Sequence, residues 1–94
     1  MLRFEWDENK NERNFRKHGM WFEEAVTVFQ DPRGRLFFDY EHSTREDRFL
    51  LLGMNVQARI IVVVHLHREQ EQIVRIISAR KATKKEIRVY EERI

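Results

Sequence analysis

Apolar and polar residues alternate over RFEW at the start of the chain, and the segment from Glu8 to His18 is then almost wholly polar. The alternation predicts a short strand, and Asp7 followed by Glu8 predicts a helix N-cap with an acidic first turn. The helix over Glu8–His18 holds one large apolar residue, Phe15, so burial of an apolar stripe does not by itself explain it. Gly19, free to take the left-handed conformation, is expected to stop it, with His18 beside the negative helix end. A second helix, about Phe22 to Gln30, carries Phe22, Ala25, Val26 and Phe29 on one core-facing stripe and ends at Asp31-Pro32.

Four apolar runs follow, RLFFDY, RFLLLGM, RIIVVVHLH and QIVRIISA, separated by the polar stretches EHSTRED, NVQA and REQE. They read as strands, and RFLLLGM, apolar on both faces, reads as a central one. In TKKE, Glu86 stands three residues after Thr83, a capping box that opens a last helix with Ile87, Tyr90 and Ile94 on one stripe. The order of elements predicts an α+β fold: an antiparallel β-sheet meander with two N-terminal helices and a C-terminal helix, the helices on one face. Residues 1–94 are expected to form a single domain.

Composition narrows the chemistry. Cysteine is absent, which excludes a disulfide framework, a thiolate metal site and a thiol nucleophile. No segment has the pattern of a signal peptide or is long enough to span a bilayer, so a cytoplasmic protein without a membrane partner is expected. The formal net charge of +2 says little, but its distribution says more. Arg75 to Ile94 holds seven Lys or Arg against three Glu, whereas Asp39 to Asp47 holds four acids against one Arg. A basic end of this kind suits a polyanionic ligand, although a mixed solvated surface has the same composition.

The pairing of the last two strands decides which side chains share a face. With Arg68 opposite Glu71 across a two-residue turn, one face takes Ile60, Val62, Val64, Leu66, Ile73, Arg75, Ile77 and Ala79. The other face then takes His65, His67, Ser78 and Arg80 among apolar neighbours. A three-residue turn would instead put His65 beside Arg75. In the first register His65, Ser78 and Arg80 look out together near the lysine-rich start of the last helix. Such a set suits phosphodiester cleavage of RNA, which requires proton transfer from the 2′-hydroxyl and to the leaving oxygen, and cations for the charge on the phosphorane. Arginine serves the last role well, because its planar fork bridges two phosphoryl oxygens. Arg80, Arg75 and Lys81 are the candidate phosphate-stabilising residues and His65 the candidate proton carrier. Arg48, Arg59, Lys84 and Lys85 are candidate RNA contacts. Lys10, Asn14, Lys17 and His18 fall on one face of the first helix and are candidate contacts for RNA or a protein partner. Structural readings stand beside these: Glu86 as a cap, Tyr90 as core, His65 as a half-buried core histidine. His65 and His67 with His42 could chelate a metal, but no third ligand lies at a fixed spacing, and neither metal nor cofactor is expected.

The segments FEWDENK, RKHGMWFEEA, FQDP, RFLLLG and RIISARKATKKEIRVYEE, in this order, resemble the BrnT family of type II toxins from about Phe4 to Glu92. The resemblance implies a RelE-like fold and a cytoplasmic toxin that cuts RNA and arrests growth, and with the residues above a metal-independent endoribonuclease is expected. It also implies neutralisation by a BrnA-like ribbon-helix-helix antitoxin, with operator DNA contacted only through that antitoxin. Arg75, Ser78, Arg80, Thr83, Glu86 and Tyr90 fall on the family's C-terminal motif, and Lys10, Asn14, Lys17, His18 and Gly19 on its first-helix motif. The family has no fixed catalytic triad to carry over. Trp21 stands where relatives often have a small capping residue, so the second helix is expected to start differently and expose an aromatic surface. Two rivals to catalysis remain: a module that binds RNA or the antitoxin without chemistry, and an inactive relative acting as co-repressor.

Overall fold

The computed structural model describes residues 2–43, 46–68, 70 and 72–92. Strand β1 (Arg3–Glu5) leads into α1 (Glu8–His18) and α2 (Phe22–Val26), the latter continuing as a 3-10 turn over Thr27–Gln30. Strands β2 (Arg35–Phe38), β3 (Arg48–Met54), β4 (Ile60–Arg68) and β5 (Ile73–Lys81) follow, and α3 (Lys84–Glu91) closes the fold. The sheet order is β1-β5-β4-β3-β2. β2 to β5 form the expected antiparallel meander, whereas β1 joins the edge of β5 in parallel. Among the described residues no helix is long and apolar enough to cross a membrane.

The helices do not share a face. α1 and α2 cover one side, where Met20, Phe22, Val28, Ile61, Val63 and Ile76 form the main core. α3 lies on the other side and seals a smaller cluster of Leu52, Val62 and Tyr90. This corrects the one-sided arrangement expected above. The cause is β3, which is apolar in both directions and therefore needs cover on both.

α1 solves its shortage of apolar surface with amides. Asp7 caps it by accepting from Lys10 N at 3.1 Å, and Gly19 ends it at φ 69°. Asn14 is buried; its Oδ1 accepts from Ala79 N at 3.1 Å, and its Nδ2 donates to Ala79 O and Met20 O at 2.9 Å each. A side-chain amide thus takes the place of a further strand along β5 beyond β1. Asn11 accepts from Phe22 N at 2.7 Å and so supplies the cap of α2 that Trp21 cannot. Trp21 instead stacks on Phe15, with ring centres 4.2 Å apart and both rings more than a third exposed, the aromatic surface its position led us to expect.

The stripe on the second helix is Phe22, Ala25 and Val28 rather than Phe22, Ala25, Val26 and Phe29, with Val26 and Phe29 only half-buried. The change to 3-10 winding at Thr27 explains this, because three residues per turn bring i, i+3 and i+6 into line.

Candidate active site

The hairpin register departs from expectation in two ways. Near the turn Arg68 pairs with Ile73, Leu66 with Arg75 and His65 with Ile76; Glu71, expected opposite Arg68, lies outside the described residues. Between Val64 and His65 the ladder then takes a bulge, so that Val64 pairs with Ser78, Val63 with Ala79 and Val62 with Arg80. Ile77 is the extra residue, and it reverses the facing of everything after it. Ser78 and Arg80 therefore do not share a face with His65, as the two-residue turn implied. They share one with Arg75, Leu66, Val64 and Val62. The bulge turns the small Ala79 toward α1, where Asn14 closes on its backbone.

His65 is 2% exposed on the α1/α2 side, its ring 4.9 Å from that of Phe29 and 5.9 Å from that of Phe49. Burial is the main reason its imidazole is pushed down to about 4. His67 pairs with Val74 on that side too, and His42 bonds Asp39 at 2.9 Å in the loop after β2. Among the described residues no group of three metal-ligating side chains comes together.

Strand pairing assembles rows on the α3 face. Arg48, Leu66, Arg75 and Glu5 form one across β3, β4, β5 and β1. Phe37, Leu50, Val64 and Ser78 form the next, and Arg35, Leu52, Val62 and Arg80 the third. Leu66 and Val62 are four residues apart on β4, so the outer rows lie about 13 Å from each other. Arg75 and Arg80 consequently belong to different ends of the face rather than to one cluster.

The arginines differ in what holds them. Arg80 makes a bidentate pair with Glu86, Nη1 to Oε1 at 2.8 Å and Nη2 to Oε2 at 3.0 Å. These bonds lead the causes that draw the Glu86 carboxyl down to about 2. Glu86 also accepts from Thr83 N at 2.8 Å while Thr83 Oγ1 accepts from Glu86 N, so the expected capping box and an ion pair share one carboxylate. Arg75 Nη1 meets Glu5 Oε2 at 2.9 Å. Arg48 Nε, by contrast, is shut away from solvent with no hydrogen-bond partner among the described residues. Arg48 as a whole is half-buried and meets no carboxylate among the described residues, so the part of its guanidinium that solvent reaches can take an anionic ligand.

Arg59, Lys81, Lys84 and Lys85 are exposed and gather at the sheet end where β4 begins and β5 stops, with Ala82 N donating to Ile60 O there. Lys10, Lys17 and His18 line a groove of about 310 Å³ between α1 and β5, together with Arg13, Ile77 and Ser78. Asn14 also borders it, but both ends of its amide are spent on Met20 and Ala79, which leaves it a structural post rather than a free contact. Arg13 was missed, although its spacing of three from Lys10 puts it on the same helical face. Arg35 and Phe37 were missed because only the β2/β3 register brings them to this face.

The fold is thus a five-stranded mixed sheet of the α+β class, with an arginine-bearing face beside a capped helix. Residues 6–86 match the family model described as the ribonuclease toxin BrnT of type II toxin–antitoxin systems, and the chain belongs to that family. Its structure is similar to the crystal structure of the Brucella abortus ribonuclease toxin BrnT, with a TM-score of 0.67 and 24% identity over 89% of this chain and 100% of that one. A comparison with curated proteins finds no match.

Proposed function

We propose that the chain cleaves RNA on the α3 face of its sheet without a metal, with Arg48 and Arg75 gripping the phosphate at one end and Arg80 at the other. The observation that carries this reading is the row Arg48, Leu66, Arg75, in which Arg48 meets no carboxylate among the described residues. Cations held in place before the charge develops on the phosphorane stabilise it without reorganisation. His65 serves as a core residue in this reading. The carboxylate of Glu5 stands in the first arginine row and takes over the candidacy for proton transfer, whereas that of Glu86, on α3 and drawn down to about 2 by Arg80, is too weak a base. Lys10, Arg13, Lys17 and His18 carry the RNA backbone over Ser78 and around the edge of β5, while Arg59, Lys81, Lys84 and Lys85 raise the positive potential at the far end.

The toxin acts in the cytoplasm, and its neutralising partner is a BrnA-like ribbon-helix-helix antitoxin through which alone operator DNA is met. Family membership supports the antitoxin. Incubating purified protein with RNA in excess EDTA tests the activity. Arg48→Ala is expected to slow cleavage by roughly a hundred- to a thousandfold, the range for loss of one preorganised donor. Undiminished cutting by both Arg48→Ala and Arg75→Ala would remove the assignment, and loss of wild-type cutting on chelation would turn it toward a metal.

One observation favours a second reading, a non-catalytic RNA- or antitoxin-binding co-repressor: Arg75 and Arg80 are each already neutralised by a carboxylate. Product analysis separates the two, since a nuclease leaves new RNA ends.

A further inference from the structure

Between the two arginine rows runs an apolar one, Phe37, Leu50 and Val64, and beside it opens a cavity of about 260 Å³. Phe37, Leu50, Leu52, Val62, Glu86 and Val89 line it. Leu52, Val62 and Val89 close it beneath α3. On the β2 side the wall is Phe37, a large aromatic left 41% exposed on an edge strand. Its ring is held from one direction by Arg35, whose guanidinium carbon is 5.8 Å from the ring centre. Arg35 is itself fixed by donating to Val89 O at 2.8 Å, so ring, guanidinium and α3 brace one another.

Register alone imposes this alternation of charge and grease. Residues two apart on a strand share a face, so each arginine row is one step of about 7 Å from the apolar row between them. An RNA single strand has the same alternation, anionic links separated by flat rings with apolar faces. A peptide side chain would fill the cavity but would leave the flanking guanidinium of Arg48, which meets no carboxylate among the described residues, without an anion.

The geometry points to a nucleobase subsite here: one unpaired base of the RNA substrate stacks on Phe37 over Leu50 and Val64, while the phosphates flanking it reach Arg48 on one side and the Arg35–Arg80 row on the other. This rests on the RNA reading above and adds to it that the substrate is single-stranded at this point, because a base inside a duplex presents no free face. Stacking tolerates any base, so the subsite selects for strandedness before sequence.

The test uses the full chain and an oligoribonucleotide made uncleavable by 2′-O-methylation. Phe37→Trp keeps a stacking ring and reports on it; its fluorescence is expected to be quenched by the single strand and unmoved by the corresponding duplex. Phe37→Ala, checked for an unchanged thermal melt, is expected to raise KM for single-stranded RNA roughly five- to a hundredfold. Leu36→Ala, one residue away on the opposite face of β2 and 57% exposed, is expected to cleave like the native chain. The subsite is overturned if Phe37→Ala keeps KM within about twofold while the native chain cuts, if duplex quenches Phe37→Trp as well as single strand does, or if only the antitoxin protein perturbs its fluorescence. Quenching by single strand in a protein that cuts nothing would uphold the subsite and overturn the nuclease reading instead.

Discussion

Tyr90 Oη donates a 2.6 Å hydrogen bond to Asp31 Oδ2 and so ties the last helix to the residue that ends the 3-10 turn. Asp31 also accepts from Met54 N at 2.8 Å and Arg33 N at 2.9 Å, which makes its carboxylate the junction of α3, β3 and the loop before β2. Burial pushes the Asp31 carboxyl upward, but the bonds from Tyr90, Met54 and Arg33 outweigh it and hold it below the ordinary value. Burial first, then the bond to Asp31, pushes the Tyr90 phenol up. A neutral donor serving an ionised acceptor is a structural arrangement, and it leaves Tyr90 no free proton for chemistry.

Tyr90→Phe is therefore expected to lower stability by about 2 kcal/mol, the loss of a hydrogen bond to a charged group, while RNA cleavage by the folded fraction stays near that of the native chain. Urea unfolding beside single-turnover cleavage measures both. A large fall in the rate with stability unchanged would instead put the phenol in the reaction.

His65 makes stability depend on mild acid. Its imidazole is held at about 4 when folded, against 6.5 when free, so the unfolded chain binds the proton first. Stability is full above about pH 6.5, declines as pH falls from there toward 4, and has lost about 2 kcal/mol by pH 5 at 1.36 kcal/mol per pH unit. His65→Phe, which suits the company of Phe29 and Phe49, is expected to remove that slope. Equal slopes for native and variant chains in urea titrations at pH 7 and pH 5 would contradict the burial argument.

Glu86 acts in a lower window. Its folded carboxyl sits at about 2 against 4.5 when free, so its contribution is complete above about pH 4.5 and vanishes as pH falls through 2. Glu86→Gln is expected to cost about 1–2 kcal/mol at neutral pH through the weakened cap and ion pair, and to flatten the melting temperature between pH 4.5 and 2. The same variant frees Arg80, so its cleavage rate reports whether the pair restrains or positions that guanidinium.

Asn14→Ala removes three hydrogen bonds and strands the N–H and C=O of Ala79. A loss of about 3 kcal/mol is expected, with α1 amides exchanging faster than those of β4. Uniform exchange across both elements would show that α1 is held by something other than this amide.

Much of the fold was legible in local sequence. Alternation marked the strands, Asp7 and Thr83 marked helix starts, and Gly19 a stop, because caps and periodicity act within a few residues. The α1 anchor was not legible, since nothing local distinguishes a buried asparagine from a solvated one; Asn14 is defined by Ala79, 65 residues away. Nor was the bulge, for Val64 and Ile77 are interchangeable apolar residues to any periodic rule. That single unpaired residue moved Arg80 and Ser78 away from His65, the proposed proton carrier, and onto the face of Arg75. Arg48 and Arg75 were named as phosphate contacts, but their alignment through Leu66 depends on pairing across three strands.

The amide docking of α1 has a consequence for how such a protein can diverge. A helix seated by two asparagines rather than by a greasy seam leaves most of its circumference unconstrained by the interior. Its outward residues can be rewritten, sign of charge included, at little cost to folding.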